Sequence, residues 1–295
     1  MENFIPTNTP LVELKEIEKY FGFAGKIYAK VEYFNPSGSV KDRPVYQMLL
    51  DYKEAGILKE GGTVVEATSG NTGIALAFYS KIFKYRLIIA MPKSMSEQRR
   101  KMITDLGGEL CLVDGGMSLA KETAENIVKE TPDSFIFNQF NNDSNPKAHY
   151  LNTAPEIFSK LDKVDYFFAG FGTGGTVSGV GQYAKEHKLA TRIVAIEPEE
   201  SPLITKGVAG KHKIQGIGAN FIPYTLKKEF IDEFITANSD KSIEFARLVR
   251  DLEKLDIGIS SGAALLGAIN YIKEHNIKDG TVVVLFPDKG DRYTW

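Results

Sequence analysis

Lys41 stands where a lysine can act as a nucleophile. It closes the polar turn Asn35-Pro36-Ser37-Gly38-Ser39-Val40, and residues patterned as a helix follow it at once. A lysine at such a junction meets the positive end of a helix, which disfavours the ammonium and favours the neutral amine that attacks an aldehyde. The plain alternative is an ordinary helix start with Ser39 as cap and Lys41 in solvent. Two downstream motifs weigh against it. Glu66-Ala67-Thr68-Ser69-Gly70-Asn71-Thr72-Gly73 leads from a strand into an apolar helix. Free N–H groups at a helix start, joined by the hydroxyls of Thr68, Ser69 and Thr72 and the amide of Asn71, make a receptor for a carboxylate. A plain turn needs one cap, not this many polar residues.

Gly170-Phe171-Gly172-Thr173-Gly174-Gly175-Thr176 is a second strand-to-helix loop. Its glycines let the backbone approach an anion, and Thr173 and Thr176 add hydroxyls suited to the oxygens of a terminal phosphate. Read as a bare pattern, Gly170, Gly172 and Gly175 also satisfy a dinucleotide fingerprint, and Glu197 supplies an acid at the expected distance. A nicotinamide-dependent oxidoreductase is therefore a competing reading, although it leaves the first two motifs idle. The segment Gly258-Ile259-Ser260-Ser261-Gly262-Ala263-Ala264 opens an apolar helix; alone it reads as a cap with close packing.

These loops need a scaffold, and the chain patterns one. Short β-branched runs at 62–67, 86–91, 109–113, 164–169, 192–197 and 281–286 alternate with amphipathic stretches at 42–55, 96–106, 119–130 and 242–255. That alternation predicts an α/β fold of mostly parallel sheets covered by helices. The polar segment 138–146 is the natural crossing between two halves. With 295 residues, 43% of them hydrophobic, the chain can bury one large core or two smaller ones. Its net charge of −2 gives no footprint for nucleic acid or an anionic membrane. No apolar run spans a bilayer and the first residues lack a signal-peptide pattern, so a cytoplasmic protein is expected. Cys111 reads as a core residue of a buried strand. The four histidines have no metal-ligand spacing, so no metal is expected.

Taken together, these residues resemble the cysteine synthase (O-acetylserine sulfhydrylase) family of pyridoxal-phosphate enzymes, of the tryptophan-synthase-β type. The likeness runs from Asn8-Thr9-Pro10-Leu11-Val12 through the three motifs, Gln139-Phe140, Pro155-Glu156-Ile157 and Gln215-Gly216-Ile217-Gly218 to Gly290-Asp291-Arg292-Tyr293. It implies that Lys41 holds pyridoxal 5'-phosphate as a Schiff base and later moves the α-proton. It further implies that Asn71 touches the ring hydroxyl and that Gly172, Thr173, Gly174, Gly175 and Thr176 hold the phosphate. Thr68, Ser69, Asn71, Thr72 and Gln139 match the substrate-binding set. Ser260, with Ser261 as substitute, matches the hydroxyl facing the pyridine nitrogen. A hydroxyl there leaves the ring nearly neutral and disfavours transamination.

The implied fold is two αβα domains with the cofactor between them. Residues 35–146 form the smaller, mobile one, and 1–34 with 147–295 the larger. The implied reaction is β-replacement through an aminoacrylate, making L-cysteine from O-acetyl-L-serine and sulfide. The alternative releases hydrogen sulfide from L-cysteine, with water, a second cysteine or homocysteine as nucleophile. An inactive regulatory paralogue is disfavoured because the whole residue set is present. The resemblance also implies a homodimer and a serine acetyltransferase partner. An amino-acid nucleophile would need an acid for its ammonium, and Asp232, between Ile231 and the strand-like Phe234 and Ile235, is the candidate. Its plain reading is an exposed charge at a strand start. Departures from the family pattern are Glu13, Pro44, Gln98 and the stop at Trp295.

Overall fold

The computed structural model describes residues 4–293. Among these residues, ten strands form two sheets. β1 (Leu11–Glu13), β2 (Lys26–Val31), β7 (Tyr166–Gly170), β8 (Arg192–Pro198), β9 (Glu233–Ala237) and β10 (Thr281–Phe286) make a six-stranded sheet in the order β1-β2-β10-β7-β8-β9. β3 (Thr63–Ala67), β4 (Arg86–Pro92), β5 (Glu109–Val113) and β6 (Ser134–Ile136) make a four-stranded sheet in the order β5-β4-β3-β6. Every pairing is parallel except that of β1 with β2.

Side chains alternate across each strand, so an apolar run feeds two cores at once. On the larger sheet, Phe168, Val194, Val282 and Val284 face the helices Ser239–Glu253 and Ile259–Glu274. Their neighbours Phe167, Ile193, Val283 and Leu285 face Val177 and Val180 of the helix Gly175–Glu186. On the smaller sheet, Val64, Leu87 and Ile89 pack under the helices Asp42–Glu54 and Asn71–Phe83. Val65, Ile88 and Ala90 pack on Ala120 and Ala124 of the helix Met117–Glu130. Each sheet is thus covered on both faces.

Three details bear on the sequence expectations. Cys111 is only half-buried, because β5 is the edge of its sheet. Ser39 does not cap the helix after Lys41. Instead Asp42 turns back over the loop, where its carboxylate accepts from Ser37 N (2.7 Å) and Ser37 Oγ (2.6 Å). Pro44 is the third residue of that helix, where a missing N–H breaks no intrahelical bond. Of the remaining departures, Glu13 pairs with Lys26 and Gln98 Nε2 donates to the Asp291 carbonyl at 2.9 Å. Trp295 lies outside the described residues. Among them no helix is long and apolar enough to cross a membrane, and no cluster of His, Cys, Asp or Glu is arranged to hold a metal ion.

Candidate active site

The chemistry-bearing loops follow the carboxyl ends of parallel strands, as the α/β architecture dictates. β3 ends in Thr68–Asn71, β7 in the glycine loop, and β10 in Pro287 and Asp288. The last segment draws two more motifs in. Ser39 forms an antiparallel bridge with Asp288, and Val40 N donates to the Pro287 carbonyl at 2.8 Å. Gly258 N donates to the Asp288 carbonyl at 3.0 Å. One pocket floor is consequently lined by Lys41, Asn71, Gly172–Thr176, Ser260 and Asp288. A cleft of about 700 Å³ opens above it, lined by Thr68, Ser69, Thr72, Gln139, Phe140 and Arg99 among others.

Burial lowers the Lys41 amine to about 8, while the nearby Asp288 carboxylate works in the opposite direction. No ion pair or side-chain hydrogen bond holds that amine among the described residues. Its neutral form is therefore accessible near pH 8, as a nucleophile requires.

The glycine loop is built by close approach. A Cβ on Gly172 would lie 2.4 Å from the Gly216 carbonyl oxygen, and one on Gly175 would lie 2.0 Å from Asn145 Oδ1. Gly174 has φ +82°, a left-handed conformation that favours glycine. Beyond it the first turn of helix Gly175–Glu186 leaves N–H groups without intrahelical partners. His149 backs this loop. Its Nε2 lies 3.3 Å from Thr176 Oγ1 and its Nδ1 lies 2.9 Å from Thr153 Oγ1, within a π-helical turn, His149–Thr153, packed on that helix. Burial and the Arg43 charge push His149 down to about 3, so the ring is neutral.

The facing loop is held through side chains. Thr72 Oγ1 donates to Gln139 Oε1 at 2.7 Å, and Gln139 Nε2 donates to Glu66 Oε1 at 3.1 Å. Burial raises Glu66 to about 7. Asn71 Nδ2 donates to Asp288 Oδ2 at 2.7 Å.

Lys41, the Thr68–Thr72 loop, Gln139, the glycine loop and Ser260 therefore converge. Ser261 does not line the pocket; it is fully buried beneath it. Asp232 also lies elsewhere. Its carboxylate accepts from Ile193 N at 2.7 Å, near the amino end of β8, whereas the cleft opens at the carboxyl ends. Glu197, the acid a dinucleotide would need, is buried and accepts from Ile204 N (2.9 Å), Thr205 N (2.8 Å) and Thr205 Oγ1 (2.7 Å). Those bonds cap a short helix and leave no carboxylate for a ribose. His149 and Asp288 escaped the sequence reading. Asp288 had a signal, since it follows the strand-like run 281–286 at its carboxyl end; His149 had none.

The model of the pyridoxal-phosphate-dependent enzyme family matches residues 3–288. Cysteine synthase B of Campylobacter jejuni is 46% identical over 97% of this chain and 94% of that protein. Cysteine synthase of Staphylococcus aureus is 43% identical over 97% of this chain and 92% of its own length. Among solved structures, a hydrogen sulfide-producing enzyme from Fusobacterium nucleatum superposes with TM-score 0.94 at 38% identity, covering 100% of this chain and 99% of that one. Cysteine synthase from Entamoeba histolytica does so with TM-score 0.94 at 40% identity, covering 99% and 88%. The residues present fit that cofactor: a glycine cradle that a Cβ would fill, an unpaired, half-buried lysine among the described residues, and a hydroxyl on the pocket wall.

Proposed function

Since the chain belongs to the pyridoxal-phosphate-dependent enzyme family, we propose that it is a cysteine synthase, replacing the β-substituent of O-acetyl-L-serine with sulfide. The observation that carries the choice of nucleophile is the charge of the cleft wall. Arg99 and Arg292 line the cleft, and among the described residues no aspartate or glutamate does. Asp288, on the pocket floor, is engaged by Asn71 and Tyr293. An anionic nucleophile such as hydrosulfide is drawn to such a wall, while an incoming ammonium finds no counter-charge.

Pyridoxal phosphate, when bound, supplies an aldehyde for the substrate's amino group and a ring that withdraws electrons from its α-carbon. Lys41 is the amine that would hold it, and its free amine would take a proton from the substrate α-carbon and later return one. Gly172, Thr173, Gly174, Gly175 and Thr176 would hold the phosphate, and Asn71 the ring hydroxyl. Ser260, on the same pocket wall, would offer the ring nitrogen a neutral hydroxyl rather than a carboxylate, which would favour loss of the β-substituent over transamination. Thr68, Ser69, Thr72 and Gln139 bind the substrate carboxylate. Residues 35–146 then close as a unit on the rest of the chain and exclude water.

Likeness to the Fusobacterium enzyme supports a second reading, in which the same residues release hydrogen sulfide from L-cysteine. Steady-state rates with O-acetylserine plus sulfide, against cysteine with and without homocysteine, decide between them. Faster turnover of cysteine plus homocysteine would overturn the synthase reading. Asp232→Asn should leave both reactions unchanged, given its distance from the cleft. Borohydride reduction followed by peptide mapping should place the cofactor on Lys41; a label on another lysine sinks that assignment. Homodimerisation, a serine acetyltransferase partner and a cytoplasmic location complete the proposal by family analogy, and sedimentation of the protein alone and with the acetyltransferase tests the first two.

A further inference from the structure

The segment Asp288–Tyr293 follows β10 of the larger sheet yet grips the loop of the smaller one. Asn71 is held from both ends of its amide. Arg292 Nη1 donates to Asn71 Oδ1 at 2.6 Å, and Asn71 Nδ2 donates to Asp288 Oδ2 at 2.7 Å. Asp288 is fully buried and is braced in turn by the Tyr293 hydroxyl. Arg292 is buried too, and its second arm, Nη2, donates to the Ser37 carbonyl at 2.6 Å in the lysine turn.

Two glycines make room for this arrangement. A Cβ on Gly38 would lie 2.6 Å from Arg292 Nη2, and one on Gly258 would lie 2.1 Å from Asp288 Oδ1. Glycines of the lysine motif and of the Ser260 motif therefore serve residues that neither motif contains. An arginine can only donate, so Asn71 Oδ1 must face Arg292 and the NH2 group must face Asp288. That group has two hydrogens, and Asp288 takes one. The other has no protein acceptor among the described residues and is left for a ligand.

We propose that Asp288 and Arg292 are positioning residues that fix the orientation of the Asn71 amide, so that its free N–H is aimed at the cofactor before the cofactor arrives. This rests on the assignment of Asn71 to the cofactor site made above. Preorganising one donor in this way strengthens binding without adding a contact.

The test is a double-mutant cycle on binding of pyridoxal phosphate to the cofactor-free chain, followed by absorbance, with thermal melts confirming that each variant folds. Arg292→Ala and Asp288→Ala should each weaken binding about tenfold in the parent chain, and less than twofold in an Asn71→Ala chain, because partners that act through one group are not additive. Asp288→Asn keeps an acceptor for Asn71 and should bind within about twofold of the parent. Where Arg292→Ala does not fold, Arg292→Lys replaces it, since a lysine cannot span Asn71 and Ser37 together. Equal weakening in both backgrounds would overturn the inference while sparing Asn71 as a ligand. So would no weakening in either. Full-strength binding by Asn71→Ala alone would instead remove Asn71 from the site, and this inference with it.

Discussion

A Cβ added to Gly175 would lie 2.0 Å from the buried Asn145 side chain, whereas one added to Gly70, in the facing loop, would meet nothing within 4 Å. The contrast extends along both loops. On the side of the larger sheet, Gly172 abuts the Gly216 backbone, and within the helix that follows Gly179 abuts the Pro146 carbonyl and Gly181 the Phe230 carbonyl. On the smaller sheet the loop is held by side chains: Thr72 on Gln139, Gln139 on Glu66, Asn71 on Asp288. Backbone contact is rigid, and it suits a group that stays bound. Side-chain hydrogen bonds can be exchanged, and that suits a carboxylate that enters and leaves at each turnover. In this structure the Thr72 hydroxyl is committed to Gln139, so a carboxylate bound there as proposed would have to replace that bond.

The largest effect is expected on the rigid side. Gly175→Ala forces Asn145 aside, yet Asn145 is buried and its Nδ2 donates to the Gln139 carbonyl at 2.8 Å. Overpacking of this kind costs about 1–3 kcal/mol. Drawn from the binding of the cofactor, that cost should cut its affinity by up to roughly 10²-fold. Equilibrium titration of the cofactor-free variant measures it, and parent-like affinity would show that the loop yields after all.

On the exchangeable side, Thr72→Ala removes one donor to a charged group, about 1.5–3 kcal/mol, or roughly tenfold to a hundredfold. The loss should appear in KM for the amino-acid substrate while the cofactor stays bound with its absorbance unchanged. Loss of cofactor from this variant would erase the distinction between the two loops.

Much of this division was legible in the sequence because it is local. A strand, a glycine- or hydroxyl-rich turn and a helix occupy consecutive residues, so both loops and Lys41 could be read directly. What escaped depends on pairing between distant segments. The place of Asp232 follows from β8 lying beside β9, which sets Val194 opposite Glu233 and puts the acid at the wrong end of the sheet. Cys111 is half-buried because, among the described residues, nothing pairs with the outer edge of β5. Glu197 satisfied a spacing rule, yet its carboxylate is consumed by the amides of Ile204 and Thr205. His149 reaches Thr176 only because a π-helical turn packs on the glycine-loop helix. Asp42 displaced Ser39 as the group that closes the lysine turn, since a carboxylate can accept from Ser37 N, Ser37 Oγ and Ser39 N together.

Lys41 belongs to neither loop, and its titration offers a probe of the floor they share. With the amine lowered to about 8 by burial, cofactor uptake by the apo chain should accelerate with rising pH and level off above about 8, as the neutral fraction saturates. Linkage gives a second signature. Between about 8 and the ordinary lysine value of 10.5 the unfolded chain binds the proton that the folded chain has released. Stability of the apo chain should therefore rise with pH across that window, and Lys41→Met should lack the rise. Denaturant midpoints at several pH values check it; parallel curves for parent and variant would place the Lys41 amine in solvent.

The smallest effect is expected at Gly70, and it tests the open side of the comparison most directly. Gly70 precedes the helix Asn71–Phe83 with φ −124° and ψ −155°, extended backbone that any residue adopts. A methyl group there meets no atom within 4 Å. Gly70→Ala should consequently stay within about 0.5 kcal/mol of the parent in stability, as surface substitutions away from special features do. Cofactor absorbance should be unchanged, because the glycine cradle lies on the other sheet. Gly175→Ala makes the same chemical change, a single methyl on a glycine at the start of a helix after a parallel strand. If the two variants lost stability and cofactor alike, the contrast between a close-packed cradle and an open loop held by hydrogen bonds would fail. If only Gly175→Ala lost them, the rigid half would be the one that retains the cofactor and the open half the one that turns substrate over.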